Sequence, residues 1–317
     1  MNHLSVGIIG CGYIAQRAYF PLLSSWPDLT VEMVLSRTKK HWGAVRDRWP
    51  DLNLSTNLED LTSAGVDAAF ILTPVASHFD LCVTLLENGI HVFVEKPPAR
   101  SSTETLTMAQ MAEDKDLVLM VGFNRRYAPL VEAAQSLIKR EDIRLCTVEK
   151  HRPGIQGRDL SEAYREDLIH QIDLLRFFCG EMTPLSTSSI YRGDKIVSAV
   201  SVLEGPHQCL GVLKASRESG SWQERVTLIG SGKTVQMDMF QRAILVEGGQ
   251  ERVIWHAESG THVEHLGDRG FKSEIEHFLV CVQENKAPFT DGFEAAKTQS
   301  LQEGLADIDY QTQRRRN

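Results

Sequence analysis

Residues 5–16 read SVGIIGCGYIAQ: a short apolar run, Val6–Ile9, followed at once by Gly10-Cys11-Gly12-Tyr13-Ile14-Ala15. This is G-x-G-x-x-A set between a strand and the start of a helix. The first glycine permits a tight turn, the second lets the backbone approach a pyrophosphate, and Ala15 keeps the helix close to the sheet. Free N–H groups and the helix dipole around Tyr13 and Ile14 favour phosphate at that point. The same rhythm continues outward from the turn. Strand candidates are Val31–Leu35, Asp67–Leu72, His91–Val94 and Leu117–Val121. They are nearly continuous in apolar residues, as strands buried on both faces of a parallel sheet are. Between them lie amphipathic segments: His78–Asn88, closed by Gly89, and Thr103–Asp114, opened by Ser101 and Glu104 at capping-box spacing. The alternation predicts an α/β, doubly wound Rossmann domain over residues 1–122.

Ligands of such sheets bind at the carboxyl ends of the strands. The second strand ends in Leu35-Ser36-Arg37-Thr38-Lys39-Lys40. A hydroxyl, a guanidinium and two ammonium groups suit a 2′-phosphate, so Ser36 and Arg37 favour NADP, with NAD as the alternative. Glu32 has the sequence distance of an NAD-type ribose acid but is placed at the start of its strand, the wrong edge of the sheet. Thr73-Pro74 forms a further tip. His78, at the next helix start, either contacts the ribose or caps the helix. The stretch His91-Val92-Phe93-Val94-Glu95-Lys96-Pro97-Pro98 delivers Glu95 and Lys96 to the same edge.

After Gly122 the pattern changes. A helix over Pro129–Lys139 leads to a strand at Leu145–Lys150, a loop with Pro153, Gly154 and Gly157, and a helix over Asp167–Cys179. Strand-like runs follow at Ser186–Tyr191, Ile196–Leu203, Gln208–Ala215, Glu224–Ile229, Thr234–Met239 and Ala243–Glu247, joined by turn residues. These predict a second, α+β domain over 123–317 with a large, mostly antiparallel open sheet, closed by helices at Lys272–Asn285 and Gly292–Tyr310.

Composition agrees with a globular chain. Of 317 residues, 42% are hydrophobic and 24% charged, and the formal net charge is −8. That charge argues against general affinity for nucleic acid or an anionic membrane. No apolar run approaches the roughly 18–20 residues needed to span a bilayer. The apolar start lacks a cationic leader. Six scattered cysteines, with no CxxC and no cysteine–histidine cluster, point to core residues in a reducing cytoplasm and to no metal site.

Taken in order, several motifs resemble the glucose–fructose oxidoreductase/inositol dehydrogenase/rhizopine-catabolism (Gfo/Idh/MocA) family. They are the glycine turn, Glu95-Lys96-Pro97, Gly122-Phe123-Asn124-Arg125-Arg126-Tyr127, a histidine helix, Gly230-x-Gly232, Phe271-x-x-Glu274-x-x-x-Phe278 and Pro288-x-x-x-Gly292. The resemblance implies a dehydrogenase moving a hydride between NAD(P) and a secondary alcohol or ketone of a sugar, cyclitol or related polyol. Lys96 would polarise the substrate oxygen and His170 would act as general acid/base. The family places an aspartate four residues before its histidine; here Glu166 stands there with Asp167 beside it, so either acid can support His170. Asn124, Arg125 and Lys150 either line the substrate pocket or form structural ion pairs. Asp173 either touches substrate or pairs with Arg176. The resemblance also implies a homodimer or homotetramer. Two other readings stay open: a dinucleotide-binding regulator without turnover, and a reductase of a non-sugar substrate such as an imine or tetrapyrrole.

Overall fold

The computed structural model describes residues 3–154, 162–193, 195–257 and 260–314. Gly157 of the expected loop lies outside the described residues. The chain groups into two units, residues 1–123 with 271–296, and residues 124–270 with 297–317. Residues 271–296, which the sequence pattern groups with the second domain, thus belong to the first unit.

The first unit is built on six strands: β1 (Leu4–Ile9), β2 (Leu29–Leu35), β3 (Asn53–Ser55), β4 (Ala68–Ile71), β5 (His91–Glu95) and β6 (Leu119–Gly122). All pair in parallel in the order β3-β2-β1-β4-β5-β6. The order reverses between β1 and β4, which opens a crevice at their carboxyl ends. Every residue of β4 and β6 is buried, which explains their unbroken apolar sequence. Ser101 caps the helix Ser102–Asp114 by accepting from Glu104 N–H. Phe278, on the helix Phe271–Glu284, stacks edge-on to Phe70 of β4 and Phe93 of β5, at 5.2 and 5.6 Å between ring centres. That aromatic contact explains why the segment 271–296 belongs with the first sheet.

The second unit is an eight-stranded sheet of β7 (Leu145–His151), β8 (Thr183–Arg192), β9 (Lys195–Gly205), β10 (Cys209–Ser216), β11 (Gln223–Gly230), β12 (Lys233–Asp238), β13 (Arg242–Glu247) and β14 (Gln250–His256). Their order is β14-β13-β12-β11-β7-β10-β9-β8, antiparallel except where β7 meets β10. One apolar core joins Val148, Leu213, Val226, Leu228 and Val235 of this sheet to Leu130, Ile172, Leu175 and Phe178. The latter come from the helices Pro129–Gln135 and Ile169–Cys179. Not expected from the sequence were β3 and the short helices Trp42–Arg46 and Leu58–Thr62 in the first unit, nor β14 and the short helix His262–Asp268 in the second. Among the described residues, no helix is long and apolar enough to cross a membrane.

Candidate functional site

Gly10 follows β1 directly and adopts φ +105°, with its N–H donating to Leu35 O at 2.8 Å. A Cβ there would fall 2.8 Å from the Leu72 backbone and 3.1 Å from the Thr73 side chain, so the position requires glycine. Gly12 differs. A Cβ built on it meets no heavy atom within 4 Å. Nothing in the protein's own packing demands glycine at 12, and the open space is where the turn would admit a pyrophosphate. Tyr13 is exposed, and the chain continues through a π-helical turn, Ala15–Tyr19, into the helix Phe20–Leu23. The residues present therefore fit a dinucleotide phosphate.

The tip of β2 stands beside this turn through the Gly10–Leu35 hydrogen bond. Ser36 is half-buried and donates its N–H to Ser55 O, while Arg37, Thr38, Lys39 and Lys40 are exposed. Glu32 lies in mid-strand, not at the strand start as expected. It occupies the irregularity where Val6 pairs Val31 but Gly7 pairs Met33, still short of the tip.

Glu95 and His78 turn inward. Glu95 accepts from Tyr19 O–H at 2.7 Å and from Lys96 N–H at 3.0 Å. Burial, with Glu95 and Glu274 nearby, pushes the Tyr19 phenol well up, so it remains a neutral donor. His78 is 1% exposed. Its Nδ1 lies 2.9 Å from Pro97 O and its Nε2 2.7 Å from Thr73 O. The expectation that His78 caps the helix is corrected: Ser77 holds the N-cap position, and the His78 ring faces backbone carbonyls of its own unit. Lys96 is half-buried at the end of β5, and Pro74 is exposed beyond β4.

In the second unit the histidine helix is preceded by a π-helical turn, Ala163–Leu168, and His170 is buried at the start of Ile169–Cys179. Asp167 pairs with Lys150 at 3.3 Å, with Arg152 at 2.9 Å and with Arg217. Lys150 also reaches Glu224 at 3.3 Å and donates to Asp167 O at 2.8 Å. Arg125 holds Glu224 with two hydrogen bonds of 2.7 and 2.8 Å, and Gln171 donates to it at 2.9 Å. Burial alone would raise the Glu224 carboxyl, but Arg125 and Lys150 outweigh it and hold it well below the usual range. Lys150, Arg125 and Asp167 are thus joined in one buried ionic cluster next to the His170 helix. Glu166 lies 3.6 Å from Arg165.

Asn124 donates to Arg269 O at 2.8 Å. Asp173 takes two hydrogen bonds from Arg126, at 2.8 and 2.6 Å, and one from Thr298. Of the two readings open for Asp173, the pair with Arg176 does not form: Arg176 binds Glu181 and Thr298. The sequence reading missed Glu224 and Arg217. Glu224 carried a legible signal, since it shares the inward face of β11 with Val226 and Leu228 and so needed a buried cationic partner. Among the described residues, no group of three or more His, Cys, Asp or Glu is placed to hold a metal ion.

Residues 4–123 match the family described as an oxidoreductase family with an NAD-binding Rossmann fold. The putative oxidoreductase YceM of Salmonella typhimurium is 30% identical over 311 residues, 96% of this chain and 98% of that protein. The scyllo-inositol 2-dehydrogenase (NAD(+)) of Bacillus subtilis is 25% identical over 268 residues, 78% of this chain and 76% of that one. A crystal structure of a dehydrogenase (MviM) from Clostridium difficile aligns with a TM-score of 0.88 at 25% identity, covering 96% of this chain and 99% of that chain. With likeness running along nearly its whole length and the glycine turn standing where a dinucleotide needs it, the chain belongs to the Gfo/Idh/MocA family of oxidoreductases.

Proposed function

We propose that this NAD(P)-binding oxidoreductase interconverts a secondary alcohol and its ketone on a sugar, cyclitol or related polyol, with NADP preferred over NAD. One observation carries the reading: Lys96 and the open Gly12 turn share the carboxyl edge of a single parallel sheet. The nicotinamide, when bound, supplies or accepts the hydride. Lys96 then offers an ammonium to the substrate oxygen and stabilises the alkoxide that develops on it. His170 takes the hydroxyl proton in oxidation and returns it in reduction. Arg37 and Ser36 hold a 2′-phosphate at the tip of β2. Glu95 and His78 support the lysine segment from behind. Asp167, Lys150, Arg125 and Glu224 hold the strand ends and the His170 helix in place as an ionic cluster. Arg126 and Asp173 anchor the same helix further along.

The similarity to an enzyme named for inositol dehydrogenation supports the polyol class. Incubating the protein with a panel of polyols, inositols and sugars, and following cofactor absorbance with NADP and NAD, tests the reading. Turnover of at least one such alcohol, faster with NADP, is expected. Activity confined to imines, or no turnover of any alcohol by a protein that binds the cofactor, contradicts it.

A further inference from the structure

The hydrogen-bonded pairing of β4 with β5 ends at Ile71 opposite Val94. Beyond that pair both strands still have to deliver residues to the ligand edge, Thr73 from one and Lys96 from the other. The His78 ring spans this gap. Its two nitrogens stand 2.7 Å from Thr73 O and 2.9 Å from Pro97 O, and the side chain is almost wholly buried. A carbonyl oxygen only accepts and a neutral imidazole carries a single N–H, so the neutral ring donates to one of the two carbonyls and packs against the other, and only the imidazolium donates to both. Thr73 in turn flanks the glycine turn: its Cγ2 lies 3.1 Å from the Cβ position of Gly10. On the other side of the lysine, Glu95 accepts the Lys96 N–H at 3.0 Å.

We propose that His78 is a positioning residue: its imidazole clasps the Lys96-Pro97 segment to the Thr73 turn and so fixes the lysine relative to the glycine turn. Glu95 before it and His78 after it then both contribute to the backbone placement of Lys96. Neither needs to touch substrate. The inference rests on the reading of Lys96 given above.

Two variants test it: His78→Phe keeps the ring and removes both polar contacts, while His78→Gln keeps one donor. Each is compared with wild type and with Lys96→Ala in thermal unfolding, NADP affinity and steady-state kinetics with the best alcohol found. A lysine displaced by about 1 Å is expected to lower kcat on the order of 10–100-fold. His78→Phe should show that loss with KM and NADP affinity changed less than threefold, as an order-of-magnitude bound, and His78→Gln should fall between it and wild type. Wild-type kcat in a folded His78→Phe, alongside an inactive Lys96→Ala, overturns the proposal while leaving the role of Lys96 standing. Full activity in Lys96→Ala removes the role of the lysine, and the clasp falls with it. If His78→Phe does not fold, His78→Gln decides alone: a lowered kcat with unchanged NADP affinity supports the clasp, and an unchanged kcat refutes it.

Discussion

Gly10 and Gly12 stand two positions apart and are glycine for different reasons. Gly10 has φ +105° and lies against the Leu72 backbone, so Gly10→Ala is expected to lose about 1–3 kcal/mol of stability, read by thermal unfolding. Gly12 faces open space. Gly12→Val should fold as wild type does yet lose dinucleotide binding in calorimetry, because the branched side chain fills the phosphate space. Unimpaired binding by the folded variant contradicts the placement. Arg37, exposed at the tip of β2, is the group expected to distinguish the two cofactors. Arg37→Ala should weaken NADP by about 1.5–3 kcal/mol and leave NAD nearly unchanged. Equal losses for both cofactors, or tighter binding of NAD by the wild type, would contradict NADP preference. These positions were legible in sequence because each rests on a local turn. The inward orientation of His78 was not, because its partners Thr73 and Pro97 are brought to it by two different strands.

Along β11, Glu224 occupies an inward position and depends on Arg125 and Lys150. Glu224→Gln should cost about 3–5 kcal/mol at neutral pH, since it leaves buried cations without their carboxylate. The folded-state pKa of Glu224 is depressed, so its contribution is complete above the unfolded carboxylate value, about 4.3, and fades as pH falls toward the folded one. Wild-type stability should therefore decline more steeply than that of Glu224→Gln as pH is lowered below about 4. Parallel slopes in chemical denaturation would show that the carboxylate is not held by these cations. Elements with a continuous apolar run, such as β4, or regular alternation, such as β11, could be read from sequence. β3 could not, being three residues long. Nor could β14, where Gln250, Glu251, Arg252 and Val253 are all exposed and no buried face imposes a period.

The change of architecture after Gly122 was visible because parallel and antiparallel sheets leave different patterns: unbroken apolar strands between helices in one, turn-linked strands in the other. The return of residues 271–296 to the first unit was not visible, since helical periodicity shows that Phe278 is buried but not against what. The same limit applies to the chemistry. Lys96 belongs to one unit and His170 to the other, 74 positions later, and both are proposed above to serve the same reaction. If they act together, their contributions cannot be independent. The deciding measurement is steady-state turnover by Lys96→Ala, His170→Ala and the double variant, each first shown to fold and to bind NADP. Each single substitution should lower kcat by about 10²–10⁴-fold, and the double variant should lose far less than the product of the two. Turnover near the wild-type rate in either single variant, or fully multiplicative losses in the double, would show that the two groups do not serve the same step.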